Sequence, residues 1–531
     1  MAKTSTMVVI SSAIVAAIII IAIIAVTTTT FNVSPIQKKD VPETTSAGSS
    51  KNKTSISEQT TMPPSPSASG ISSPYIKEYN LPRKEIWPNG ISADDGKTIW
   101  FTGTRSNSLF SFDPGTGRFE EFTLPVKSSS MFMGWGVATD NQGRVWFTDD
   151  RAGAIWRFDP SIKEFKKMEL PTKSQGNLPT LPIQIAVDDR NGFVWFTELY
   201  GNKIGLIPQD SGSVYEFPTP TNSSGPSSLF IKDRYVWFTE ALVNKIARYS
   251  YDDNEDNLKN LESRNPPSAN IEEFAPSKQL YSPVGLFIDK KSNIWVTEHG
   301  SSFIARYNIA NDTVFRLATS RNEGQAITLP YWIRSDANNN IWFTEHAGNR
   351  IAMFNTTDYT LTEYEVPTRN PKQGNLSNTM SLSVSPDGSS VWFTEWSEDK
   401  IGVVNSTVPL PFTIMASNNE IKIPRGGSAD IAVSISARGN VGNNIINNNN
   451  NAATALILKT SGTETPSGRL FNITATFDPE SVKVPINSKM TTTAKLTIKT
   501  DPSIKPGEYT ITASATDGFV TKSVVIRLYI K

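Results

Sequence analysis

Six carboxylates recur at one place in this sequence: Asp149, Glu198, Glu240, Glu298, Glu345 and Glu395 each close a Trp-Phe/Val-Thr-acid phrase, with Gly103 standing there in the first copy. The chain's only two histidines, His299 and His346, each follow such an acid directly. Carboxylate oxygens gathered on one face suit a hard divalent cation such as Mg²⁺ or Ca²⁺. An imidazole beside that cation would serve as a general base. Plainer readings stand next to these. The acid is repeat consensus that accepts backbone hydrogen bonds, and the histidines are surface residues copied along with the repeat. Trp135, Tyr331, Trp332, Trp396 and Tyr200 would add an apolar ligand-binding floor, although packing between repeats also explains some of them. The chain has no Cys, which excludes disulfides and thiolate chemistry. No Gly-x-Ser-x-Gly nucleophile signature and no nucleotide loop is present.

The elements that must position these residues come from the repeat itself. The phrase occurs seven times, at Ile99, Val145, Val194, Val236, Ile294, Ile341 and Val391, with starts 42 to 58 residues apart. That is the period of a four-stranded propeller blade. Each unit reads as a short apolar strand A, a polar turn, the phrase as strand B, then strand C such as Ile204-Gly-Leu-Ile207. Strand D is acidic and aromatic, as in Phe119-Glu-Glu-Phe122 or Ile271-Glu-Glu-Phe274. After the seventh phrase no strand D follows, and the missing copy lies at Tyr75-Ile-Lys-Glu-Tyr79 ahead of the first. An N-terminal strand that completes the last blade would close a ring of seven and remove its free edges. The D-to-A and B-to-C loops then open on one face around the channel, so the six acids are expected to line that mouth.

The expected class is therefore all-β: a seven-bladed β-propeller over residues 74–408, then an immunoglobulin-like sandwich over 409–531 with about seven strands. Met7 to Val26 is an uncharged run long enough to cross a bilayer as a helix. Residues 27–73, rich in Ser, Thr and Pro, read as a disordered stalk. These features predict a single-pass membrane protein with the bulk of the chain extracellular. Ser250 to Asn270 reads as a charged insertion, and the Asn-rich run from Asn440 to Asn451 as a disordered loop. Lys plus Arg balances Asp plus Glu at 51 each, so the basic stripe of a nucleic-acid binder is absent.

Trp-Phe-Thr-Glu followed by Asn202-Lys-Ile-Gly205 and Glu216-Phe-Pro-Thr-Pro220 resembles the streptogramin B lyase (virginiamycin B lyase) family over roughly residues 75 to 406. The resemblance implies a seven-bladed propeller that opens the lactone ester of a cyclic peptide by β-elimination with a magnesium ion. The family's catalytic histidine follows a Pro at the start of an innermost strand. Here the corresponding places read Asn89, Trp135, Ile183, Ser227, Val284 and Tyr331, so no catalytic residue carries over. If the chain is an enzyme, His299 or His346 would take a proton while Glu298, Glu345 and Glu395 hold the cation. The rival is a non-catalytic surface binder that grips a small molecule, peptide or glycan at the same mouth. A third reading is a calcium-dependent lactonase.

Overall fold

The computed structural model describes residues 72–126, 132–172, 180–250, 270–321, 327–371, 374–438, 453–485 and 490–531. The run Met7 to Val26, the stalk, the body of the charged insertion and the Asn-rich run lie outside them. Among the described residues no helix is long and apolar enough to cross a membrane.

The chain is an all-β β-propeller with further strands after it. Six antiparallel four-strand units follow one another in sequence order, beginning at Pro88, Val137, Pro182, Pro226, Pro283 and Pro330. We number these blades 1 to 6. A seventh unit is assembled from both ends of the propeller: Thr379–Val384, Ser390–Glu395 and Lys400–Asn405 are joined by Ile76–Asn80. Ile76 pairs with Val404 and Tyr79 with Ile401, antiparallel, so the N-terminal strand closes blade 7.

The Thr of the repeat phrase explains how blades join. In six blades the innermost strand carries a register slip just after its first residue, for instance between Pro182 and Ile185 or Pro330 and Ile333. Such a bulge turns a backbone N–H and a carbonyl out of the ladder. The seven Thr hydroxyls, all fully buried, accept from Gly90, Gly136, Gln184, Ser228, Gly285, Trp332 and Ser381 N–H at 2.9–3.2 Å. Thr102, Thr197, Thr297, Thr344 and Thr394 also donate to a carbonyl of the next blade at 2.7–3.4 Å. The last of these, Thr394 to Asn89, runs from blade 7 to blade 1 and ties the ring shut. A hydroxyl both donates and accepts, so one small side chain satisfies two strand-edge groups at five of the seams.

Strand D's Glu makes an outer seam. Glu273 accepts from Thr221 N at 2.8 Å and Oγ1 at 2.6 Å, and Lys245 Nζ reaches it at 2.6 Å. Glu78 on the closing strand repeats this with Thr368 and Lys400.

The C-terminal region holds nine strands among the described residues rather than about seven. Phe412–Ala416, Ser428–Ala437, Thr491–Thr500 and Ile473–Asp478 form one sheet. The facing sheet is continuous with blade 6: Val520–Ile530 pairs through Val520–Val524 with the blade's outer strand Thr360–Glu365, and through Arg527–Ile530 with Glu420–Ile423. Alternating apolar residues of both sheets share one core, with Val433, Ile435, Leu496, Ile511 and Ile526 fully buried. The sequence pattern does not show this pairing, because it is carried by main-chain hydrogen bonds without a side-chain signature.

Candidate functional site

The structure moves the six acids away from the mouth. Asp149, Glu198, Glu240, Glu298, Glu345 and Glu395 are all fully buried, each under the B-to-C turn of its own blade. Gly201 and Gly348 show how closely: a Cβ added there would meet Glu198 Oε2 at 2.3 Å and Glu345 Oε2 at 2.5 Å. Asp149 accepts from Ala152 N and Trp156 Nε1, both at 3.0 Å. Glu298 forms a two-pronged ion pair with Arg316 at 2.7 and 2.9 Å. Arg350 lies 3.4 Å from Glu345. Glu198, Glu240 and Glu395 accept no hydrogen bond within normal distance among the described residues, although Ser224 and Ser377 lie near the latter two.

Burial pushes Glu198 up to about 8 and Glu240 up to about 7, with Glu216 and Glu273 adding repulsion. It also lifts Glu345 and Glu395 well above the carboxylate range. A neutral acid is a poor metal ligand. No three His, Asp or Glu side chains come together to hold an ion among the described residues. These residues do not fit a shared Mg²⁺ or Ca²⁺ ring, and the reading of the acid as a structural member of the repeat is the one the geometry supports.

The mouth is built one residue further on. In six blades the N–H after the phrase's fifth residue donates to the carbonyl of the residue that precedes strand A. The donors are Thr104, Leu199, Ala241, His299, His346 and Trp396, and the acceptors are Trp87, Leu181, Gly225, Ser282, Leu329 and Asn378, at 3.0–3.2 Å. Each acceptor has φ between 50° and 67°, the left-handed region. Five of the six are not glycine, and that backbone costs a β-carbon residue about 1–3 kcal/mol. The latch holds the two loops together and fixes what projects there.

His299 and His346 are the pair that it brings together. Their rings lie 6.4 Å apart, and His299 packs on Tyr331 at 5.1 Å. His299 Nδ1 lies 3.2 Å from Pro330 O; a carbonyl only accepts, so the proton sits on Nδ1 and Nε2 keeps its lone pair. Burial pushes both imidazoles down to about 4, so both are neutral at pH 7. Tyr331 also contacts Trp332 at 5.8 Å and, from the far side of the channel, Trp135 at 6.3 Å. Trp396 packs on Trp87 at 4.7 Å, which adds a residue the sequence reading did not name. The buried indole N–H groups of Trp135, Trp332 and Trp396 and the side-chain amide of Asn89 have no partner among the described residues. Tyr200 is half-buried, beside the latch at Leu199.

Sequence reasoning missed Asp150. It occupies the column of His299 and His346 in blade 2, where its carboxylate accepts from Met133 N at 2.7 Å. Burial, with Asp149 adding repulsion, raises it to about 7. The signal was available: once His appears twice in the column after the acid, that column is where ionisable groups gather.

The profile of the Virginiamycin B lyase family matches residues 71–267. The propeller is virginiamycin B lyase-like. Virginiamycin B lyase from Staphylococcus aureus, in selenomethionine form, aligns at 26% identity with a TM-score of 0.50, over 62% of this chain and 98% of that one. A streptogramin B lyase structure gives 27%, 0.50, 62% and 97%. A catalytically inactive histidine-to-alanine variant of the Staphylococcus aureus enzyme, in complex with quinupristin, gives 26%, 0.50, 62% and 98%. No curated protein sequence matches.

Proposed function

We propose that this chain is a membrane-anchored, extracytoplasmic seven-bladed propeller whose mouth binds a compact, aromatic-bearing peptide or cyclic depsipeptide, with an immunoglobulin-like sandwich behind it. One observation carries the reading: the continuous cluster Trp135, Tyr331, His299 and His346, edged by Trp332, which unites apolar faces with unpartnered donors. Rings of this kind stack on ligand rings, and orphaned N–H groups reward a ligand carbonyl. The complex of a related lyase with quinupristin supplies the ligand class.

Asp150 favours a second reading, a lyase that works without the carboxylate ring. A carboxyl group near pH 7 is matched to general acid–base work at neutral pH, whereas the two imidazoles are weaker bases suited to accepting hydrogen bonds. In that reading Asp150 takes a proton from the carbon adjacent to the one that bears the ester oxygen, the electron pair forms a C=C bond between those carbons, and the C–O bond breaks with the carboxylate as leaving group.

Incubating the full-length chain with quinupristin and following linear product by mass separates the two. Binding without product supports the binder. Product that disappears in Asp150→Asn while binding persists supports the lyase. Absence of binding by the wild type removes both.

A further inference from the structure

The channel has a second chamber at the opposite end from the histidines. About 360 Å³ in volume, it is lined by the later halves of the innermost strands near the A-to-B turns, with every blade contributing. Its walls are mixed, with polar surface about equal to apolar: Ile185, Leu229, Leu286 and Ile333 form an apolar side, and three charged residues reach it, Asp94, Asp189 and Arg334. Asp94 is engaged by Ser92 Oγ at 2.8 Å, Ser383 Oγ at 3.3 Å and Thr139 N at 3.3 Å. Asp189 accepts from Asn141 N and Gln209 Nε2, both at 3.1 Å.

Arg334 is different. It leaves blade 6 and reaches across the channel to blade 3, where the Gln184 amide, turned so that its oxygen faces the guanidinium, accepts from both Nη atoms at 2.9 Å. Nη1 also donates to Ile333 O at 2.9 Å, and the guanidinium sits over Trp332 at 5.2 Å. No carboxylate lies within ion-pair distance among the described residues, and the Nε–Nη2 edge has no acceptor there. Burial lowers this group to about 10 despite the more distant Asp94. Asp94 supports this cation only from beyond ion-pair distance, so the guanidinium has no direct carboxylate partner. The free edge of a guanidinium matches a carboxylate with two parallel hydrogen bonds.

We propose that this chamber binds a small monocarboxylate with a compact apolar body, its carboxylate on the Nε–Nη2 edge of Arg334 and its body against Leu229, Leu286 and Ile185. Chamber size limits the ligand to a small molecule. The two aspartates at the walls repel a second negative charge, which selects a monoanion over a phosphate or dicarboxylate. This site lies beyond the mouth, with Trp332 packed between Arg334 and Tyr331.

Calorimetric titration of the full-length chain with benzoate and isovalerate, against benzamide and isovaleramide, is the test. At least one acid should bind saturably in the millimolar range or better, with its neutral amide about tenfold weaker or more. Arg334→Gln should weaken the acid by a similar factor. Arg334→Lys, which keeps the charge but loses the planar fork, should fall between. If neither acid binds the wild type, if acid and amide bind equally, or if folded Arg334→Gln binds with unchanged affinity, the proposal is overturned. Should Arg334→Gln fail to fold, the acid–amide comparison and Arg334→Lys still decide: unchanged affinity in Arg334→Lys overturns the bidentate fit.

Discussion

The seams between blades and the mouth above them are written in the same repeat phrase, yet they treat polar groups in opposite ways. At the seam, Thr197 accepts from Gln184 N at 3.1 Å and donates to Ser227 O at 2.7 Å, and Thr102, Thr297, Thr344 and Thr394 do the same in their blades. At the mouth, three buried indole N–H groups and the Asn89 amide find no partner among the described residues. Seams repeat because every blade faces the same packing problem. The mouth does not repeat: the column after the acid runs Thr104, Asp150, Leu199, Ala241, His299, His346, Trp396. Uniformity marks what holds the ring, and variety marks where a ligand would be read.

Breaking the buried polar contacts within and between blades should therefore cost stability broadly. The largest effect is expected for Arg316→Ala, which strands Glu298 as a buried carboxylate without its cation. The loss should be about 3–5 kcal/mol, read from denaturant midpoints at constant slope. An unchanged midpoint would mean that Glu298 is not a structural acid.

Thr197→Val is nearly isosteric and leaves the Gln184 N–H and the Ser227 carbonyl without their link. A loss of about 1–3 kcal/mol is expected, from the same unfolding curves. Quinupristin affinity should change far less than it does in mouth variants.

Glu198→Gln sharpens the comparison through pH. Glu198 is raised to about 8 in the folded chain against 4.5 when free, so the folded state holds a proton that the unfolded state releases. Its contribution is intact below about pH 4.5, declines as pH rises, and is spent above about 8. The variant has no group to ionise. Its stability relative to wild type, followed through the melting temperature, should climb between those pH values, by on the order of 4 kcal/mol in all. A flat difference across that range would show an ionised acid and revive the cation ring.

The ring itself was legible from residues. Counting strand D copies placed Tyr75–Pro82 beside Ile401–Val404, and the pairing of Tyr79 with Ile401 agrees. The acids were misplaced for a physical reason. Strand alternation gives a side chain's face, but the last residue of a strand takes its surroundings from the turn that follows. Here that turn is drawn inward by left-handed residues such as Leu181 and Leu329, which no propensity rule marks. The structure brings Trp135, Tyr331 and Trp332 together, and large residues beside Pro or Gly signals at the start of an innermost strand stand out in the sequence. Arg334 was not legible as special, since its partner Gln184 lies in a blade well away in sequence.

The comparison rests most directly on one titration: quinupristin into the full-length wild type, Trp135→Ala and Glu240→Gln under identical conditions. Saturable binding in the wild type and in Glu240→Gln, with at least about a tenfold loss in Trp135→Ala, is the predicted result. Binding abolished by Glu240→Gln and untouched by Trp135→Ala would contradict it, and would put the repeat's acids back at the mouth.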